Sequence, residues 1–266
     1  MSQNILLLLT IACVVSLFAY CRGYLTWPAA TLAAIFASTI VIFSGMAIGI
    51  SMGVCFYITA WFSHSPIPLR KNSHKNVQIL TPLVSTDTVT TVRRDSKQIL
   101  ANGLILTILA LFDFNLDEIQ LSLTAAMLGC LGAVAGDTWA SEIGTMAKQQ
   151  PRIVLTGEWV KEGTPGAVTN FGIFLTGLSG LVAALVFILV TFTPFNFPHQ
   201  YDLTFTNSMI LIISAVIGGI LGALADSIAG AHIQAQYRTD EGNISDSPLN
   251  IDGSTNQYVK GNLWIS

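Results

Sequence analysis

A long uncharged segment near the beginning of the chain sets the strongest constraint on its fold. Residues 28–62 contain no charged side chain. One straight helix of that length would extend ~50 Å, whereas the hydrocarbon core of a bilayer is ~30 Å thick. The segment is therefore expected to cross a membrane twice, and Ser44 and Gly45 offer a turn between the two crossings.

The composition of the whole chain also indicates a membrane protein. Of the 266 residues, 52% are hydrophobic and only 10% are charged, whereas soluble domains carry ~25% charged residues. We predict an all-α, polytopic transmembrane bundle in residues 1–236, followed by a polar cytoplasmic tail in residues 237–266. The seven predicted spans are 5–20, 27–43, 46–62, 95–112, 121–143, 168–192 and 208–228, with the last continuing as a helix toward Gln236.

The basic residues favour one orientation of these spans. All twelve Lys and Arg residues lie in, or at the edge of, the first, third and fifth connections and in the tail. Short loops rich in Lys and Arg remain in the cytoplasm. The N-terminus is therefore predicted outside and the C-terminus inside, with the two long loops, at about 63–94 and 145–167, in the cytoplasm. No surface suited to nucleic acid is expected.

A first group of polar residues surrounds the start of the fourth predicted span. Ionisable groups beside a span are costly unless they face a polar cavity or a partner, so they are functional candidates. The group comprises Asp95, Gln98 and Asn102 on one helical face, with Arg93, Arg94 and Lys97 beside it. A helix N-cap and an ordinary amide bond between helices would explain the same spacing without a functional role.

A second group lies at the end of the fifth span, where Asp137 and Ser141 are one turn apart and Glu142 follows. A carboxylate beside a hydroxyl suits a hydrated Mg²⁺ that carries phosphate oxygens. Three glycines on the same helix would allow the close approach of a ligand, such as a lipid tail, or of another helix: Gly129, Gly132 and Gly136.

A third aspartate, Asp226, lies near the end of the last span. The preceding Leu-Gly-Ala-Leu-Ala resembles the Leu-Gly-Ala-Val-Ala before Asp137. An internal duplication would give the two aspartates equivalent positions, although chance similarity is common in helices rich in glycine, alanine and leucine.

A glycine-rich segment leads from the fifth connection into the sixth span. Backbone amides of such a turn and of a helix N-terminus favour anions, so the segment is a candidate phosphate-binding loop. Its candidate residues are Gly163, Thr164, Gly166 and Thr169. A simple turn would require the same glycines.

Several motifs carry a family resemblance. They are Arg-Asp-x-x-Gln-x-Leu-Ala-Asn-Gly from Arg94, Asp-Thr-Trp-Ala-Ser-Glu-Ile-Gly from Asp137, Pro-Arg-Ile-x-x-Thr-Gly from Pro151, Gly-Thr-x-Gly-x-Val-Thr from Gly163, and Asp-Ser-x-x-Gly-Ala-x-x-Gln-Ala-x-Tyr from Asp226. Together they resemble the transmembrane protein 19 family, which includes the plant phytyl-phosphate kinases. A more distant similarity links the chain to the CTP-using dolichol kinases and phosphatidate cytidylyltransferases.

The resemblance implies a multi-pass membrane kinase that transfers a phosphoryl group from a nucleoside triphosphate, with CTP the expected donor, to an isoprenoid monophosphate such as phytyl phosphate. The expected cofactor is Mg²⁺, held by Asp137 and Asp226 with Glu142 as a third candidate ligand. Asn102 and Asp95 are further catalytic candidates. Phosphates and nucleotide are expected to contact Arg93, Arg94, Lys97, Ser141, Gly163, Thr164, Gly166 and Thr169.

The sequence also departs from the family pattern. Gly166-Ala167 stands where relatives tend to have two glycines, and their usual cysteine and histidine are absent near Gly253. The sequence stops at Trp264-Ile265-Ser266, where relatives continue into a further hydrophobic helix, so either the chain is truncated or this member lacks the final span. The alternative function is a transporter or lipid carrier that uses Asp137 and Asp226 as a cation or proton site. Membrane lipids are expected partners in either case, and assembly of several copies of the chain stays open.

Overall fold

The computed structural model describes residues 2–64, 93–113, 119–147, 149–161, 163–194, 201, 203–239, 242, 244–245, 248 and 254–262. Its α-helices are α1 Ser2–Cys21, α2 Trp27–His64, α3 Ser96–Asp113, α4 Gln120–Glu142, α5 Asn170–Thr191 and α6 Phe205–His232. The predicted class of a transmembrane helical bundle is confirmed. Most of the loop predicted at 63–94 falls outside the described residues.

The helices are long and apolar enough for a membrane protein. Five of those described qualify as spans by length and composition, counting α2 once, and α1 contributes a shorter apolar helix, Leu6–Cys21. The number of crossings and the orientation of the termini stay predictions.

The helix α2 folds back on itself at Gly45, as the sequence predicted. Gly45 has φ 86° and ψ 170°, a backbone conformation that glycine adopts without a steric penalty. Ala33 and Phe56 line the same cavity, although a straight helix would separate them by ~35 Å. The turn therefore divides α2 into two arms, residues 27–44 and 46–64, that lie side by side.

The connections between helices gather at two opposite ends of the bundle. At one end, the backbone N–H of Arg94 donates to the carbonyl of Tyr24, and that of Thr26 donates to the carbonyl of Arg94, both at 3.0 Å. At the other end, the hydroxyl of Tyr201 donates to the carbonyl of Ser44 at 2.9 Å. The basic first and third connections thus meet at one end, which we call the basic end.

Small residues bring α4 close to α5 and α6. A Cβ added at Gly132 would lie 2.7 Å from the Cα of Gly180 on α5, and the hydroxyl of Ser179 donates to the carbonyl of Gly132 at 2.7 Å. Gly136 likewise faces α5. The close approach predicted at Gly132 and Gly136 is therefore made by another helix and leaves no room for a lipid tail there, while Gly129 lines a shallow groove between α4 and α6.

Two small sheets lie outside the helices, at the basic end. β1 Arg152–Ile153 pairs with β2 Ala167–Val168 in the fifth connection. In the tail, β3 Gln236–Arg238 lies between β4 Ile244–Ser245 and β5 Gln257–Lys260. Strands of two to four residues leave no alternating pattern to detect, so the sequence of the polar tail does not reveal them.

Candidate functional site

Two carboxylates from different helices meet at the basic end. The carboxyl group of Asp137 on α4 lies beside that of Asp226 on α6, within range of direct electrostatic interaction and hydrogen bonding. The helices run in the same direction because both begin at the opposite end of the bundle. The two aspartates therefore occupy similar positions, each near the C-terminal end of its helix, while the internal duplication stays a hypothesis.

Small residues one and two turns earlier explain why the carboxylates meet. Gly129 faces Gly218, and Ala133 faces Gly222, so contacts repeat every four residues along both helices. Residues four apart lie on one helical face, which carries the contact on to Asp137 and Asp226. Larger side chains at these positions would separate the two helices and the two acids.

A cavity of about 540 Å³ opens beside Asp137, between α4, α5, α6 and the loop that precedes α5. We call it the acidic pocket. Its lining is rich in hydroxyl and amide groups, and its polar members are Asp137, Ser141, Gln149, Thr164, Thr169, Thr176 and Ser227. Five predicted site residues thus share one pocket, because Gly163 lines it as well. Asp226 borders this pocket through its contact with Asp137 and through the adjacent Ser227.

Side chains accept hydrogen bonds from two backbone amides in the first turn of α5. The hydroxyl of Thr169 accepts from the N–H of Gly172 at 3.0 Å, and the side-chain oxygen of Gln149 accepts from the N–H of Phe171 at 3.1 Å. Thr169 is therefore an N-cap. These two amides are therefore engaged in this structure, while phosphate binding by the glycine-rich turn and this helix N-terminus stays a prediction.

A basic residue that was not among the predicted site residues lies next to the acidic pocket. Arg152 donates to the side-chain oxygen of Asn170 at 2.9 Å and lines an adjoining recess with Trp159 and Gln149. Its position in the Pro-Arg-Ile motif was the one feature of the sequence that pointed to a role for it. Pairing of β1 with β2 carries it to the start of α5, which its sequence neighbours alone do not reveal.

Comparison with known proteins agrees with this architecture. The model of the family described as Integral membrane protein DUF92 matches residues 10–266. The chain belongs to this family. Its motif resemblance to the transmembrane protein 19 group is thereby confirmed, and so is its location as an integral membrane protein.

Two curated relatives of this DUF92 protein match part of the chain. It is 34% identical to Protein PGR of Arabidopsis thaliana over 122 residues. This aligned segment covers 46% of this chain and 41% of the relative. It is also 34% identical to Uncharacterized membrane protein MJ0933 of Methanocaldococcus jannaschii over 144 residues. That segment covers 52% of this chain and 50% of the relative. The matches thus span half or less of the relatives' lengths. No solved structure matches the chain.

Glu142 does not join the two aspartates. Its charge instead acts on Arg94. Within the described ranges, no group of three or more His, Cys, Asp or Glu side chains is arranged to hold a metal ion. The predicted ligand set of Asp137, Asp226 and Glu142 is therefore reduced to the two aspartates.

The residues around the start of α3 lie apart from the acidic pocket. Asp95 caps the helix, because its side-chain oxygen accepts from the N–H of Gln98 at 2.9 Å. Lys97 is exposed on the first turn, and the guanidinium of Arg93 lies near Gly23. Asn102 lines a different cavity. The catalytic role predicted for Asp95 thus gives way to capping in this structure.

Gly166 has a packing role. Its φ is +74°, and an added Cβ would clash with the backbone oxygen of Ser227 and with Ala231 on α6. Gly163 has φ +84°, and a Cβ added to it would meet no atom within 4 Å. Of the two candidate phosphate-binding glycines, Gly163 therefore faces open space in the acidic pocket and Gly166 seats the loop on α6.

Proposed function

We propose that this DUF92 protein is a membrane-embedded phosphotransferase that moves a phosphoryl group from a nucleoside triphosphate, with CTP the expected donor, to a lipid monophosphate such as phytyl phosphate. The observation that carries the proposal is the Asp137–Asp226 pair at the edge of a hydroxyl-rich pocket. The names of the relatives state no reaction, so the choice of reaction rests on the pocket and on the sequence motifs.

The donor atoms suit Mg²⁺. Two adjacent carboxylates repel one another unless a proton or a cation lies between them. Mg²⁺ binds through one or two carboxylates and completes its shell with water and phosphate oxygens. Asp137 and Asp226 would hold the ion, and the hydroxyls of Ser141 and Ser227 lie in the same pocket. When bound, the ion would neutralise developing charge on the transferred phosphate.

The remaining task of the protein is to hold the two substrates in line. Phosphoryl transfer depends mainly on positioning and on neutralising charge, and an acceptor phosphate oxygen is already a nucleophile. Arg152 in the adjoining recess offers a guanidinium for phosphate oxygens. The hydroxyls of Thr164 and Ser141 donate to the carbonyls of Lys161 and Thr138 in this structure, and each would rotate toward the pocket to donate to a phosphate oxygen. An acceptor embedded in the bilayer would present its head group at this end of the helices.

The test uses purified protein in liposomes, γ-labelled CTP or ATP, and phytyl phosphate. We expect labelled phytyl diphosphate from the wild type and a loss of at least 100-fold in Asp137→Asn and Asp226→Asn. Asp95→Asn is the matched control, since it removes a carboxylate from the same end of the bundle and asparagine still caps a helix. Its rate is expected to stay within about two-fold of the wild type.

Two results would count against the phosphotransferase. The first is unchanged turnover in both pocket variants. The second is no labelled product at all, together with cation-dependent flux across the liposome membrane that Asp137→Asn abolishes. That second outcome would favour the transporter or lipid carrier, which would use the same two carboxylates as its cation site.

A further inference from the structure

Four oxygen-bearing side chains meet at the end of the bundle opposite the basic end. The Tyr201 hydroxyl lies 2.9 Å from the carbonyl oxygen of Ser44 and 3.4 Å from Oδ2 of Asp113. Thr124 lies within hydrogen-bonding range of the same hydroxyl. Ser44, Asp113 and Thr124 are at most 1% exposed. We call these four residues the oxygen cluster, and it joins the turn of α2 to the end of α3, the first turns of α4 and the connection before α6.

The hydroxyl protons of the oxygen cluster point at carbonyl groups. Tyr201 donates to the carbonyl of Ser44, and Thr124 donates to the carbonyl of Gln120 at 2.9 Å. A hydroxyl that donates its proton keeps the lone pairs of its oxygen, and an ionised carboxylate such as that of Asp113 only accepts. The oxygen cluster is therefore rich in electron-pair donors, which are the ligands that hard cations prefer.

Ser44 supplies an independent sign of a missing ligand. Its Oγ is completely buried and has no hydrogen-bond partner among the described residues. Ser51, on the second arm of α2, shows the usual arrangement in a helix, because its hydroxyl donates to the carbonyl of Ala47 at 2.8 Å. Covalent geometry keeps the Ser44 Oγ within about 5 Å of the carbonyl that contacts Tyr201. A buried hydroxyl without a protein partner indicates a bound ion or water at this place.

The charge of the oxygen cluster fits a monovalent cation. The first arm of α2 ends at Ser44 and α3 ends at Asp113, and carbonyls in the last turn of a helix lack helical amide partners. Such carbonyls at interrupted helices coordinate Na⁺ in transporters. Asp113 carries the one formal charge among the four residues, so Na⁺ would balance it, whereas a divalent ion would leave a buried positive charge uncompensated.

We propose that the oxygen cluster binds one Na⁺ ion through the Asp113 carboxylate, the Ser44 carbonyl and hydroxyl, and the hydroxyls of Tyr201 and Thr124. A carbonyl oxygen has two lone pairs, so that of Ser44 can accept from Tyr201 and bind the ion at once. The ion ties the turn of α2 to the adjoining ends of α3 and α4. This site does not depend on the proposed phosphoryl transfer, because the acidic pocket lies at the basic end.

Direct binding of radiolabelled Na⁺ tests the proposal. The purified protein in a nonionic detergent is titrated in a buffer without Mg²⁺ whose ionic strength is held constant with choline chloride. We expect saturable binding of a single ion, which K⁺ displaces about 10-fold less well than Na⁺ because the buried oxygens are closely packed. Asp113→Asn should abolish binding, and Ser44→Ala should weaken it about 10-fold.

Melting curves separate a ligand role of Ser44 from a packing role. Na⁺ should raise the melting temperature of the wild type and leave that of Asp113→Asn unchanged. Without Na⁺, Ser44→Ala should be at least as stable as the wild type, because the variant removes a buried hydroxyl that has no protein partner among the described residues. If the hydroxyl served packing alone, the variant would lose the same stability with and without Na⁺.

Matched controls separate this site from the rest of the chain. Asp95→Asn removes a carboxylate from the opposite end, and Thr193→Ala removes an exposed hydroxyl from the same end, so both should bind Na⁺ like the wild type. Absence of saturable Na⁺ binding in the wild type, or wild-type binding in Asp113→Asn, would overturn the proposal. Loss of binding in Asp137→Asn with retention in Asp113→Asn would also overturn it, because the ion would then belong to the acidic pocket.

Discussion

Trp139 on α4 donates its indole N–H to the hydroxyl oxygen of Thr59, on the second arm of α2, at 3.0 Å. Both side chains are buried, and the Thr59 hydroxyl in turn donates to the carbonyl of Cys55 at 2.7 Å. Trp139 lies between Asp137 and Ser141 in sequence and points away from the acidic pocket. The bond therefore fixes the rotation of the helix that carries the candidate site.

Removing this bond should destabilise the bundle. We expect Trp139→Phe to lower the free energy of unfolding by about 0.5–1.5 kcal/mol, since it removes a buried hydrogen bond while the Thr59 hydroxyl keeps its bond to the Cys55 carbonyl. Denaturant or SDS titrations in detergent would measure the change. Thr59→Val and the double variant complete a mutant cycle, and the coupling should be at least about 0.5 kcal/mol. Additive losses would mean that the bond contributes nothing beyond packing.

Mg²⁺ should stabilise the protein through the aspartate pair. A ligand at 100 times its Kd adds about 2.7 kcal/mol to the free energy of unfolding. We expect the melting temperature of the wild type to rise with Mg²⁺ concentration and to fall back when EDTA is added. Asp137→Asn and Asp226→Asn should show no such rise.

The same melting curves without Mg²⁺ provide a second comparison. Replacing either aspartate removes the repulsion between the two carboxylates, so the metal-free variants should be at least as stable as the metal-free wild type. Asp95→Asn should retain the Mg²⁺ response. A lower melting temperature in Asp137→Asn under both conditions would indicate a structural role for its carboxylate.

Two of the left-handed glycines in the loop before α5, Gly163 and Gly166, should respond differently to alanine. Gly163→Ala should cost about 1–2 kcal/mol, because only the backbone conformation is penalised. Gly166→Ala should cost about 1–3 kcal/mol more, because its methyl group would also displace Ser227 or Ala231. Thermal unfolding of the two variants measures the difference. Equal losses would indicate that the loop does not rest on α6.

Tyr201 should make stability depend on pH in alkaline solution. Burial, reinforced by the charge of Asp113, raises the pKa of the Tyr201 hydroxyl above its usual range. In the unfolded chain the hydroxyl ionises near pH ~10. The folded state therefore binds the proton more tightly, and its contribution is complete below pH ~10 and is lost as the pH rises above that value.

Melting curves between pH 8 and pH 11.5 would reveal this contribution. The wild type should lose more stability over that range than Tyr201→Phe, which has no hydroxyl to ionise. The variant should also be less stable at pH 8, because the bond to the Ser44 carbonyl is gone. Identical alkaline slopes would show that Tyr201 ionises equally in both states.

The orientation of the bundle can be tested by cysteine labelling. The native Cys13 and Cys21 are exposed, so both are first replaced by serine. A cysteine at Lys161 should then be protected from an impermeant reagent in intact cells, and one at Thr193 should be labelled. These positions lie in successive connections, at opposite ends of α5. The reverse pattern would put the acidic pocket outside the cytoplasm.

The sequence by itself determined the class of fold and most of the helices. The composition excluded a soluble domain, and the length of the uncharged segment required a turn at Gly45, because a bilayer has a fixed thickness. Helix ends differ from prediction by only a few residues. Alternating charge in the connections predicted which of them share an end, and the contact between Arg94 and Tyr24 agrees with it.

Only the tertiary structure decided which polar residues act together. The sequence places three acidic residues near helix ends without distinguishing their roles. In the structure Asp95 caps α3, Glu142 lies near Arg94, and Asp137 meets Asp226. The last contact joins residues 89 positions apart and depends on how closely Gly129 and Gly218 allow α4 and α6 to approach. Sequence periodicity gives the face on which a side chain lies. The neighbour it meets is decided by packing between helices, because that depends on the shapes of both surfaces at once.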